Sequence, residues 1–220
     1  LKKVAYIRKP TAIELQYQQY LLHMVQFQRK IVEKFFFSKL KGIADEAKQI
    51  KKDSYTDDLL EAYEKTQFSF IENYTDDEVA DVVKDIARKT SQFIKDELSR
   101  ISEQAIGVDI ITNEPWLLDE LKAFTEDNVL RIRTISDKYF DEIKDIAFRG
   151  VRNGDSYTKI KKEIIDKYGA TKWNAERLAR DQVLTLSSQL NKTRQEKTGF
   201  KKYIWRDVND NRVRSSHAKR

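Results

Sequence analysis

The 220 residues contain no cysteine. That excludes disulfides and any thiolate metal site, and it fits a reducing compartment. Two prolines and six glycines are few for this length, so long helices meet few breakers and tight turns are scarce. No apolar run approaches the roughly 18 residues of a membrane span, and Leu1-Lys2-Lys3 leads into no apolar signal region. A glycine-rich phosphate loop, a dinucleotide fingerprint, a Gly-x-Ser-x-Gly elbow and a His-Glu-x-x-His helix are all missing. Neither a helix-turn-helix nor a zinc-finger pattern occurs, and no cofactor is called for. The chain begins without Met and stops abruptly at Arg220, which reads as an excerpt of a longer protein.

What is present is charge and amphipathic periodicity. Apolar residues make up 40% and charged residues 35%, enough for a narrow core under long solvated helix faces. The net charge is +6, and it is uneven. Residues 192–220 hold ten Lys/Arg against three Asp/Glu, a net of +7, whereas the first 191 residues are nearly balanced. Such a basic end is either ordinary solubilising charge or an electrostatic footprint for nucleic acid or an acidic surface.

After the basic lead Lys2–Lys9, Pro10 suits a first helical turn. Ile13, Tyr17, Leu21, Met24, Ile31 and Phe35 then recur at helical spacing to about Leu40. Lys48–Asp53 reads as a connection, and Tyr55–Tyr74 as a weaker helix. Thr75 and Glu78 have capping-box spacing ahead of a helix to about Glu103. Gly107–Thr112 reads as an extended link, which places a soft boundary near residue 110. The spacing gives a helical N-terminal region, 1–110, and a second domain, 111–220. Asn113 and Pro115 open a helix of about 30 residues, about 45 Å at 1.5 Å per residue. Gly150 and Asn153-Gly154 turn the chain. Asp155 or Ser156 caps a shorter helix that Gly169 ends, and Thr171 or Asn174 starts another.

The densest signal is Trp173–His217. A helix spans Ala175 to about Thr198 and stops at Gly199. Lys201–Arg206 alternates as a short strand, Val208–Asn211 makes a polar turn, and Arg212–Arg214 forms a second edge. The predicted fold is mainly α: long amphipathic helices with a small C-terminal β-hairpin packed on a helix. Trp205, Asp210, Arg212, Arg214 and His217 would then converge. Asp210 and His217 as an acid–base pair lack a nucleophile and a defined substrate, with His23 far away on a core-like helix. A metal at His217 lacks a ligand set. A hydrogen-bond and ion-pair cluster pinning the hairpin to the helix suits arginine's planar fork best. For DNA, the phosphate-contact candidates are Lys192, Arg194, Lys197, Lys201, Lys202 and Arg206, followed by Arg212, Arg214, Lys219 and Arg220. These would bind without reading sequence.

Ala175-Glu-Arg-Leu-Ala-Arg180, then Asn191, Gly199, Trp205 and Asp210-x-Arg212-x-Arg214-x-x-His217 resemble the phage Mu F-like minor head protein family, also called the phage head morphogenesis family. Phe124…Asn128-Val-Leu-Arg-Ile132 and Val151-Arg-Asn-Gly154 look like its lead-in helix and turn, so the likeness covers roughly residues 115–220. Asp181-Gln182 stands where the family has Thr-Glu, and Val213 where Thr is common. The resemblance implies a non-enzymatic minor capsid protein of a tailed phage or prophage. Implied partners are the portal protein, capsid or scaffolding proteins and double-stranded phage DNA, with no membrane. The implied roles are head assembly, DNA packaging and DNA ejection. The implied location is the head interior of the virion, and the host cytoplasm during assembly. Arg180, Asn191, Trp205, Asp210, Arg212, Arg214 and His217 carry over as a structural or interaction cluster.

Overall fold

The computed structural model describes residues 6–49, 55–111 and 113–199. They form helices α1 (Thr11–Ile31), α2 (Phe37–Gln49), α3 (Tyr55–Asn73), α4 (Asp76–Ile106), α5 (Leu117–Arg152) and α6 (Tyr157–Lys197), with a π turn, Val32–Phe36, joining α1 to α2. Among the described residues there is no strand. The expected mixture of helices and a β-hairpin is therefore corrected to an all-helical bundle, and residues 201–214, where the hairpin was expected, lie outside the described residues. No described helix is long and apolar enough to cross a membrane.

Helix α6 is the axis of the bundle, packing along α1, α5 and α4, while α3 closes over α2, the π turn and α5. Its apolar stripe runs Ile160, Ile164, Thr171, Ala175, Ala179, Val183, Leu186 and Leu190, all buried. The methyl side chains of Ala175 and Ala179 let neighbouring helices approach closely. This stripe overrides the expected stop at Gly169, which lies inside α6 with open space around it. A mid-helix glycine costs about 1 kcal/mol relative to alanine. Burying the stripe on both sides of it outweighs that, since each large aliphatic side chain contributes about 1.5–3 kcal/mol. No helix starts afresh at Thr171 or Asn174.

The π turn has a sequence cause. Gln28, Val32, Phe36, Leu40 and Ala44 are buried at successive steps of four. At 3.6 residues per turn each step drifts about 40° from the buried face. The wider turn, closed by Phe37 N–H donating to the Val32 carbonyl, takes up the drift and keeps one face on the core.

The capping box at Thr75 and Glu78 forms as the spacing requires. The Glu78 N–H donates to Thr75 Oγ1 at 3.3 Å and the Thr75 N–H to Glu78 Oε2 at 3.2 Å. Gly107 ends α4 in the left-handed region at φ 78°. Ser156, not Asp155, caps α6, accepting from the Lys159 N–H at 3.3 Å. Gly150 does not turn the chain. It lies within α5, and an added Cβ would sit 2.5 Å from Ile160 Cγ1, so the missing side chain sets how closely α5 and α6 cross. Residues on both sides of position 110 share one buried cluster, including Tyr17, Leu21 and Ile94 with Tyr139, Ile143 and Leu186.

Candidate functional site

The C-terminal half of α6 carries the motif residues, and the structure divides them. Arg180 is exposed, its guanidinium Nε 3.4 Å from Asp181. Two residues on, half-buried Gln182 faces inward. Its Oε1 accepts from Asn128 Nδ2 at 3.2 Å. Asn128 is fully buried; its Nδ2 also donates to the Phe124 carbonyl at 2.9 Å and its Oδ1 accepts from the Tyr17 hydroxyl at 3.1 Å. A polar chain Tyr17–Asn128–Gln182 thus crosses the core from α1 through α5 to α6. Burial holds the Tyr17 phenol well above its ordinary pKa, so this hydroxyl stays a donor. The Asp181-Gln182 pair that departs from the family pattern therefore still supplies a contact, through the Gln182 amide.

Arg194 was grouped with the phosphate-facing cations, and that placement is corrected. Its side chain is 2% exposed. Nε and Nη2 bind Glu114 in a two-bond fork at 2.6 and 3.0 Å, Nη1 donates to the Ser91 carbonyl at 2.8 Å, and Nη2 to Ser91 Oγ at 2.9 Å. Two partners on different segments fix the end of α6 to mid-α4 and to the α4–α5 link. The pattern carried a signal for this. Val183, Leu186, Leu190 and Arg194 follow at spacings of three, four and four, so Arg194 continues the buried stripe. A cation there needs a buried partner, and Glu114 supplies it.

The remaining described motif residues stay near the surface. Asn191 is half-buried and its Oδ1 accepts from Gln195 Nε2 at 2.9 Å. Lys192 is exposed, 3.8 Å from Glu196. Lys197 is exposed and lies over the Trp116 ring, 5.8 Å from its centroid, capping the same α4–α5 link that Arg194 grips. Trp205, Asp210, Arg212, Arg214 and His217, with Lys201, Lys202 and Arg206, lie outside the described residues. His23 is exposed on α1 rather than facing the core.

A second buried ion pair ties down the lead of the chain. The Glu97 carboxylate, 2% exposed, accepts from the Arg8 backbone N–H at 3.0 Å, from Arg8 Nε at 2.8 Å and from Arg100 Nη2 at 2.9 Å. Arg8 above all, then Arg100, holds its pKa down to about 2. Among the described residues no group of three or more His, Cys, Asp or Glu side chains is placed to hold a metal ion. Chemically this region is a set of mutually satisfied polar groups that fix helix register. Arg194 and Lys197 hold the end of α6 against the α4–α5 link.

The Phage Mu protein F like protein family model matches residues 141–220, from the second half of α5 onward; the likeness read over residues 115–140 falls outside that match. An uncharacterized protein of Haemophilus influenzae is 28% identical over 232 residues, covering 100% of this chain and 49% of that protein. The chain thus spans about half the length of this curated relative. No solved structure matches. Over residues 141–220 the chain is similar to the Phage Mu protein F like proteins, which supports the resemblance carried by the sequence motifs.

Proposed function

We propose that the protein is a minor head protein of a tailed phage or prophage, associated with the portal and the capsid interior and acting in head morphogenesis. The family match over residues 141–220 carries this reading. The packing supports it: the matched segment includes α6, the axis of the bundle, whose end Arg194 locks against Glu114 and Ser91. A firm mount of this kind suits a scaffold that presents the basic C-terminal stretch to a portal or capsid partner. Co-expression with the cognate portal protein tests it. Co-purification in a defined complex is expected, and two components that elute separately at every ratio would overturn the proposal.

Contact with phage DNA during packaging or ejection is a second, narrower reading. Residues 192–220 carry a net of +7. Arg194 is withdrawn from the phosphate set by its burial, which leaves Lys192 and Lys197 on the described surface and Lys201, Lys202 and Arg206 beyond it. Binding of this kind is weakly specific and falls steeply with salt. Charge reversal of Lys201, Lys202 and Arg206 is expected to abolish it. Unchanged affinity in that variant would remove DNA from the function.

A further inference from the structure

The basic stretch has a counterpart of opposite sign. Residues 55–85 contain ten Asp/Glu and two Lys, a net of −8, and they form α3 and the first turns of α4. On α3, Asp57, Glu61, Glu64, Phe68 and Ile71 follow at spacings of four, three, four and three, and all five are exposed. That spacing sets them on one stripe of the helix. Phe68 is 61% and Ile71 43% exposed, so two apolar side chains stand one turn apart in water. Glu64 lies one turn before them, and Glu72 and Asp77 follow. Within the same region Asp76 is paired with Arg133, Asp81 with Lys84, and Asp85 with both Arg88 and Lys89. Asp57, Asp58, Glu61, Glu64, Glu72 and Asp77 form no ion pair with a described residue.

A pair of apolar anchors inside an acidic rim fits a partner that brings apolar side chains between cations. The same acids repel nucleic acid, so a protein segment suits this face better. The chain's own sequence contains the complementary pattern: Tyr203-Ile204-Trp205 stands between Lys201-Lys202 and Arg206. We infer that the acidic α3 stripe of one copy receives the basic C-terminal stretch, residues 201–206, of a second copy. A second copy is favoured over the same chain by the position of Arg194. It fixes the end of α6 beside Ser91, about 22 Å along α4 from Asp76 at 1.5 Å per residue, and α3 packs on α2, the π turn, α5 and α1 rather than along α6. Two different patches meeting in this way make a heterologous, head-to-tail contact.

Sedimentation velocity of the full chain over a concentration series, at low and at high salt, tests the inference. Concentration-dependent association that salt weakens is expected. The pairs Phe68→Ser with Ile71→Ser, and Glu61→Lys with Glu64→Lys, should each weaken it about tenfold or more. Unchanged far-UV circular dichroism would show that the fold survives, because all four side chains are exposed. The decisive arm is a charge swap. A Glu61→Lys/Glu64→Lys chain and a Lys201→Glu/Lys202→Glu chain should each self-associate about tenfold or more weakly than the parent, and their mixture should associate. A chain that stays monomeric at every concentration, association indifferent to the stripe substitutions, or a mixture that stays monomeric would each overturn the inference.

Discussion

Replacing Arg194 by Met should be among the most damaging single changes in α6, although the site is three residues from the helix end. Four hydrogen bonds disappear, two to Glu114 and two to Ser91. The larger cost is what remains: the Glu114 side chain is only 11% exposed, so its carboxylate is left nearly dry and unpaired. Breaking a buried pair from one side costs about 3–5 kcal/mol. Arg194→Lys keeps the charge but cannot make the planar fork, and should cost about 1.5–3 kcal/mol. Removing both partners in Arg194→Met/Glu114→Gln takes the stranded charge away and should recover most of the loss, to within about 1 kcal/mol of the parent. Urea unfolding followed by circular dichroism, at unchanged slope, measures these proteins together with Glu114→Gln alone, and the cycle of parent, Arg194→Met, Glu114→Gln and the double variant isolates the coupling. A single Arg194→Met cost below about 1 kcal/mol, or a double variant no more stable than the single, would refute the buried-latch reasoning.

Three further perturbations follow from other parts of the bundle. Glu97 has a folded pKa depressed to about 2 against an ordinary 4.5, so its stabilisation is fully present above about 4.5. It should be lost as pH falls from there toward 2, by about 1–3 kcal/mol at 1.4 kcal/mol per unit, discounted because Arg8 is 63% exposed. Thermal melts across that window should show a slope that flattens in Glu97→Gln. Gly150→Ala gains about 1 kcal/mol of helix propensity but drives a methyl to 2.5 Å from Ile160 Cγ1. Its net destabilisation of about 1–2 kcal/mol should vanish in an Ile160→Ala background by chemical denaturation. The Gln28 side-chain amide is buried with neither its oxygen nor its nitrogen hydrogen-bonded; Gln28→Leu should therefore raise stability by about 1–2 kcal/mol, read as an upward shift in Tm.

Helices were legible in the sequence wherever apolar spacing and a terminal signal agreed. The α4 start at Thr75 and Glu78 needed only local chemistry, whereas α4 runs past its expected end near Glu103 to the left-handed Gly107. Gly169 and Gly150 misled because a glycine's role depends on what surrounds it. Gly169 is passed over because a stripe of buried side chains runs through it, and Gly150 is required by Ile160 on another helix. Neither neighbour is visible from local sequence. The candidate site shows the same division. Arg180 is exposed beside Asp181, while its expected companions Trp205, Asp210, Arg212, Arg214 and His217 lie outside the described residues. Arg194 looked like one more cation in a basic run until the fold brought Glu114 and Ser91, 80 and 103 positions away, against it. Charge composition finds a basic region, but only tertiary contact says which of its members are spent inside. For Arg194 that contact turns an expected phosphate ligand into a strut, and the cations left exposed at the end of α6 are Lys192 and Lys197 rather than the arginine between them.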